Sequence, residues 1–112
     1  MGRLIYGARG VRIEMDDLLL AHLQMLTIAK LRRGEPFLLS WVETIDGVDR
    51  SSSIWMTQNV DLLWEYEGLR PTKLDPQQLE TMATQAASNG GLNVGEEAHN
   101  PPVESTTVSP AS

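Results

Sequence analysis

Residues 16–34 constrain this chain most, because they predict one long helix with almost no polar side. Asp16 or Asp17 can cap the first amides, and acidic side chains suit the positive end of the helix dipole. Gly34 can adopt the left-handed conformation that ends a helix, and Pro36 prevents its continuation. At 100° per residue, the clearly polar positions form only a narrow side: Gln24, Thr27 and Lys30.

A helix at the surface of a small domain normally has a broad polar face. We therefore expect this helix to be covered on more than one side, by a sheet and by either a second helix or another copy of the chain. The leucines at helical spacing provide the predicted interface: Leu19, Leu23 and Leu26. The hypothesis that follows is a homodimer, or a complex with another protein.

The composition limits the class of protein. A chain of 112 residues allows one domain. The absence of cysteine excludes disulfides, thiolate zinc sites and thiol catalysis. No stretch is long and apolar enough to span a bilayer, and the N-terminus lacks the pattern of a signal peptide. We expect a soluble, cytoplasmic protein that does not contact a membrane.

The net charge of −6 is unevenly distributed along the chain. All nine Lys and Arg residues lie at or before Lys73, and acidic residues nearly balance them in this part of the chain. After Lys73 the charged residues are all acidic. Domains that bind nucleic acid are usually basic overall, so the global charge argues against that function. A local basic patch remains an alternative.

Short strands are predicted on both sides of the long helix. Residues 2–7 and 11–15 alternate apolar and polar side chains and are joined by a glycine-containing turn, which is typical of a hairpin. Apolar and aromatic residues predict further strands over 36–43 and 53–57. Residues 60–67 alternate, with Leu62, Trp64 and Tyr66 on one side, and predict a half-buried antiparallel strand.

A second helix begins at Asp75, which can act as the cap, with Pro76 as the first helical residue. Leu92 to Val94 can add an edge strand. The order ββαβββα, with or without this final strand, predicts an α+β fold in which one antiparallel sheet carries two helices on one face. Residues 1–94 form the predicted domain, and residues 95–112 the predicted disordered, acidic tail rich in Pro, Ser and Thr.

The basic residues at the end of the long helix have two interpretations. Lys30, Arg32 and Arg33 can complement the negative end of the helix dipole and remain solvated. Alternatively, they form an anion site together with Arg50 and Arg70 from loops, since the planar guanidinium group binds two phosphate oxygens at once. The ligand would then be a nucleic-acid backbone, a nucleotide or the acidic tail.

No catalytic, metal or cofactor site is predicted. His22 is a lone histidine on an apolar helix, which favours packing over metal binding, since a metal site needs three or four donors. Trp41, Trp55 and Trp64 all lie on predicted strands and indicate packing in the core or on a sheet face. If two of these indoles shared the exposed face, they could stack on bases.

Several segments, in this order, resemble a known family: residues 1–7, 20–24, 30–37, 40–41, 54–55 and 68–71. The family consists of small actinobacterial proteins of unknown function, which often carry the label "ATP-dependent DNA ligase". The resemblance covers roughly residues 1–94. Its most specific part is Lys-Leu-Arg-Arg-Gly-Glu, which begins at Lys30.

The ligase label can be tested against the residues. Nucleotide-dependent ligases use the lysine of Lys-x-Asp-Gly-x-Arg as the nucleophile. Here Thr44 stands at the position of the lysine, and Arg50 lies one residue too far from Asp46-Gly47. The sequence therefore favours a non-catalytic binding domain. The alternative is an accessory protein that associates with nucleic acid or with a DNA ligase and that binds through the basic patch.

Overall fold

The computed structural model describes residues 1–94, which form two three-stranded sheets and two helices. In chain order the elements are β1 (Gly2–Tyr6), β2 (Val11–Met15), α1 (Asp17–Arg32), β3 (Phe37–Ile45), β4 (Val48–Met56), β5 (Leu62–Glu65), α2 (Pro76–Ala86) and β6 (Leu92–Asn93). The predicted tail, residues 95–112, lies outside the described residues.

The predicted α+β class is confirmed, but the prediction of one antiparallel sheet is wrong. One sheet has the strand order β2-β1-β5 and the other β4-β3-β6. The strand β5 pairs with β1 and not with its neighbour in sequence, and β6 pairs with β3 in parallel. The strand β6 pairs with β3 only, at Leu39 and Ser40. Since it pairs with no strand of the other sheet, it does not join the two sheets.

The helix α1 begins and ends where the sequence predicts. The Asp16 carboxylate accepts hydrogen bonds from the amides of Leu18 and Leu19, at 3.0 and 3.4 Å. These bonds satisfy amide donors that have no partner within the helix. At the other end, Gly34 follows the cap residue Arg33 and has a φ of +68°. Local sequence signals are therefore sufficient to define both ends.

The hairpin of β3 and β4 is longer than predicted, because its polar part remains paired. Asp46 and Gly47 have φ values of +53° and +77° and form the turn; positive φ at both central residues is the conformation that matches the twist of a hairpin. Beyond the core, the Thr44 hydroxyl donates to the Asp49 carboxylate at 2.8 Å. Cross-strand pairs of this kind stabilise a sheet without apolar burial.

The core lies where α1, α2 and the inner faces of both sheets meet. Leu4 and Met15 come from the first sheet, and Leu39 from the second; all three are fully buried. The second helix begins as predicted, with Asp75 accepting from the Gln77 amide at 3.0 Å and Pro76 in the first turn. It contributes Met82 and Ala86 to the core.

Gly91 provides a test of how β6 is seated. A Cβ atom at this position would lie 2.6 Å from the Leu38 carbonyl oxygen. The φ of Gly91 is +75°. Gly34 has a similar φ but open space around it. We expect Gly34→Ala to lower the free energy of unfolding by about 1–2 kcal/mol through backbone strain alone. Gly91→Ala should cost at least about 1 kcal/mol more, because the new methyl group overlaps β3.

The two free energies of unfolding can be compared by urea denaturation. Equal losses in the two variants would contradict the close packing of Gly91 on β3.

Candidate interaction surface on α1

The helix α1 buries two polar residues beside its core leucines and exposes three large apolar residues on its other side. Thr27 and Lys30, which the sequence assigns to the polar side, are only 2% and 8% exposed. Leu18, Met25 and Ile28 are 45%, 43% and 37% exposed. A helix with one face in a core and the other in water normally exposes polar side chains and not large apolar ones.

The predicted interface leucines lie inside the protein. Leu19, Leu23 and Leu26 are at most 7% exposed and belong to the hydrophobic core of the single chain. They are therefore not accessible to a partner while the domain is folded. Any contact surface on α1 must use the opposite side of the helix.

The additional cover that the sequence predicts for α1 comes partly from the chain itself. Residues 66–75, which we call the strap, contact both flanks of the helix. The Tyr66 hydroxyl donates to the Gln24 side chain at 2.5 Å, and the Asp75 amide donates to the His22 ring at 2.9 Å. Ala21 lies between these two points on the helix surface and is only 3% exposed. The strap therefore crosses α1 over its N-terminal half.

The rest of this side of the helix remains exposed. We define the outer face of α1 as the exposed residues on the side opposite the core leucines: Leu18, Met25, Ile28, Ala29 and Arg32. Their spacing of three, four and seven residues places them on one stripe. Leu69 belongs to the strap and is 96% exposed. The surface combines apolar side chains with one cation at its C-terminal end.

The predicted anion site is not assembled around the end of α1. The Lys30 ammonium lies 3.4 Å from the Glu35 carboxylate, and the Arg33 guanidinium lies 3.3 Å from the same group. Two of the three helix cations therefore already share an anion. Arg32 is exposed, and no ion pair to it is found among residues 1–94.

The two remaining arginines belong to other elements. Arg50 is on β4 opposite Glu43, whereas α1 leads into β3 at Phe37. Six residues of extended strand separate these positions by roughly 20 Å. Arg70 belongs to the strap, where its charge acts on the Tyr66 hydroxyl. The structure therefore does not bring Lys30, Arg32, Arg33, Arg50 and Arg70 together.

His22 is a packed residue with both ring nitrogens bonded. It is 1% exposed. Because Nε2 accepts from the Asp75 amide, Nδ1 carries the hydrogen and donates to the Leu18 carbonyl at 2.8 Å. This neutral ring joins α1 to the N-terminus of α2, so it has no free lone pair for a metal.

The three indoles are in different environments. Trp41 is buried, and its Nε1 has no hydrogen-bond partner; Trp64 is half-buried. Trp55 is 55% exposed on β4, in register with Leu38 of β3. The described residues therefore present one exposed indole rather than a pair that could stack on successive bases.

Two surface cavities lie away from the outer face of α1. A cleft of about 360 Å³ between β2 and β3 is lined by Arg12, Glu14, Trp41 and Glu43 among others. A groove of about 290 Å³ lies between the end of α2 and the hairpin, beside Lys30 and Trp55. Within residues 1–94 no three His, Asp or Glu side chains are close enough to hold a metal ion. No helix in this range is long and apolar enough to cross a membrane.

His22 can be tested by two substitutions that differ in hydrogen bonding. His22→Leu leaves the partly buried Asp75 amide without its acceptor, so we expect the free energy of unfolding to fall by about 1–3 kcal/mol. His22→Gln retains an acceptor oxygen close to the position of Nε2 and should lose less. Thermal unfolding at neutral pH provides the comparison, and equal losses would contradict a role for the hydrogen bond to α2.

Glu35 makes a pH-dependent contribution to the stability of the fold. Its hydrogen bond with Lys30, followed by the charge of Arg33, lowers the pKa of the Glu35 carboxyl below its ordinary value of 4.5. Because the folded-state pKa is lowered, the stabilisation is present above pH 4.5 and is lost as the pH falls through the folded-state pKa. We expect Glu35→Gln to lose less stability than the wild type between pH 5 and pH 3, roughly the range of a lowered carboxyl pKa.

Urea denaturation at each pH measures this difference. Glu80→Gln, a matched change on the exposed side of α2, should follow the wild-type curve. If the free energy of unfolding of Glu35→Gln changed with pH in parallel with that of the wild type, the ion pairs of Glu35 would not contribute to stability.

Comparison with known proteins provides a family but no activity. No curated protein and no solved structure matches the chain. The family model described as "Domain of unknown function (DUF7882)" matches residues 1–97, in agreement with the predicted resemblance to an uncharacterised family. Since this match covers most of the chain, the protein belongs to the DUF7882 family.

Proposed function

We propose that this domain is a non-catalytic interaction module that self-associates through the outer face of α1. The observation that carries the proposal is the exposure of Leu18, Met25 and Ile28 on a helix that buries Thr27 and Lys30. A helix that packs only within a monomer normally presents polar side chains, and not large apolar ones, to water. Exposed apolar groups that form a patch commonly mark contact surfaces.

The size of this surface indicates a weak complex. The contact would use one helix face that the strap interrupts, whereas stable protein complexes bury roughly 1,200–2,000 Å². Affinity then depends on a few well-packed apolar side chains, and dissociation constants in the micromolar range or weaker are expected. The protein should therefore exist as a concentration-dependent mixture of monomer and dimer.

The other functions considered have less support. The Asp46-Gly47 pair that suggests a ligase motif serves as a hairpin turn, and the neighbouring Thr44 is bonded to Asp49. A nucleic-acid site at the end of α1 would have to compete with Glu35 for Lys30 and Arg33. Retention on a DNA resin at moderate salt would favour this second function.

A double substitution on the outer face tests the proposal. Met25 and Ile28 are exposed, so Met25→Lys with Ile28→Lys should leave the fold intact while placing like charges in the contact. Light scattering over a range up to several hundred micromolar, chosen for micromolar or weaker affinity, should show the wild-type mass rising from 12.4 kDa towards twice that value. The double variant should remain at 12.4 kDa.

Val48→Lys is the matched control, because Val48 is 58% exposed but lies at the tip of the hairpin. This variant should associate like the wild type. A wild-type protein that remains monomeric at all concentrations, or a double variant that still associates, would refute the proposal.

A further inference from the structure

We infer that Met25 is the site at which a peroxide oxidises this domain, and that the sulfoxide weakens contact through the outer face of α1. The first part stands on the burial of the methionines, and the second rests on the proposed function. The chain has five methionines and no cysteine. Its thioethers are therefore the only sulfur groups that an oxidant can modify.

The five methionines are in two kinds of environment. Met15, Met56 and Met82 belong to the hydrophobic core and are at most 2% exposed. Met25 on α1 and Met1, directly before β1, are both exposed. Because the oxidant must reach the sulfur, exposure determines which methionine reacts. The folded domain should therefore be modified at Met25 and Met1, while the three core sulfurs are protected.

The modification transfers one oxygen atom from hydrogen peroxide to the Met25 sulfur. The sulfur attacks one peroxide oxygen with an electron pair, and the O–O bond breaks. The proton on the attacked oxygen passes to the leaving oxygen, which departs as water. The sulfur loses two electrons, and the peroxide gains them. A flexible apolar side chain thereby becomes polar and chiral.

Met25 lies in the middle of the outer face, so its oxidation changes the part of this surface that a partner would cover. Leu18 lies seven residues before it and Ile28 three residues after it, on the same side of the helix. Its nearest neighbours on this face, Ile28 and Ala29, have no side-chain donor for a sulfoxide oxygen. Burying a polar group without a hydrogen bond is costly. Oxidation should therefore raise the dissociation constant roughly tenfold or more.

The fold of the monomer should tolerate this oxidation. Met25 is not part of the hydrophobic core, and in a monomer its new oxygen can remain in water. Oxidation of Met15, Met56 or Met82 would instead place a polar group among core side chains. Thermal unfolding at low protein concentration therefore distinguishes a modified outer face from a damaged core.

Peptide mapping by mass spectrometry tests the site of oxidation. The full chain is treated briefly with hydrogen peroxide at low protein concentration, where the monomer predominates. Met25 and Met1 should each gain one oxygen atom, whereas Met15, Met56 and Met82 should gain it only in the unfolded chain. An unmodified Met25, or core methionines that react as fast as Met25 in the folded chain, would overturn the assignment.

Light scattering before and after peroxide treatment tests the effect on association. Over the same concentration range as above, the mass of the oxidised wild type should stay closer to 12.4 kDa than that of the reduced protein. Methionine sulfoxide reductases, one for each sulfoxide epimer, should reverse the change. Met25→Gln, which places a polar amide on the outer face, should associate more weakly than the wild type without peroxide.

Met25→Leu is the matched control, since it keeps an apolar side chain but has no sulfur at this position. It is compared with itself, and its dissociation constant should be the same before and after peroxide treatment. This variant still carries Met1, so it also measures any effect of oxidation at that residue.

The outcomes separate this inference from the proposed function. Peptide mapping locates the oxidised sulfur whether or not the chain associates. Oxidised wild type that associates like the reduced protein, or Met25→Leu that weakens equally with peroxide, overturns the effect of the sulfoxide. If Met25→Lys with Ile28→Lys still abolishes association in those cases, the outer face remains the contact surface. A reduced wild type that never associates overturns the proposed function and, with it, the effect of the sulfoxide.

Discussion

The structure depends on how α1 is held, because this helix contacts the core on one side and the strap on the other. Its leucines fill the space between the sheets and α2, while the ring of His22 fixes α2 and the end of the strap. The Tyr66 hydroxyl fixes the beginning of the strap at Gln24. These hydrogen bonds hold the strap over Ala21 and leave Leu18, Met25 and Ile28 exposed on either side of it.

Local features of the fold are predictable from sequence because they depend on neighbouring residues. Asp16 and Asp75 cap their helices, and Gly34 and Gly47 adopt the positive φ that their turns require. The division into two sheets is not predictable in this way. Strand pairing between β1 and β5 joins residues about sixty positions apart, and the alternation of apolar residues indicates a buried face without identifying the neighbouring strand.

The candidate site illustrates a different limit. The apolar residues of α1 are distributed around almost its whole circumference. Their helical spacing therefore cannot indicate which leucines face the core. Lys30 is buried because Glu35 lies beside its ammonium group, and this contact depends on how the chain turns after the helix. Two of the three residues on the polar side assigned from sequence, Thr27 and Lys30, are therefore buried, and the interface assigned to Leu19, Leu23 and Leu26 is part of the core.

The most direct measurement is a dilution series of amide and methyl NMR spectra of the full chain. If the outer face of α1 is the contact surface, chemical shifts of Leu18, Met25, Ile28 and Leu69 should change together with concentration, while those of Trp55 and Val48 stay constant. Shifts that are independent of concentration throughout, or that change on the hairpin instead of α1, would contradict association through this helix.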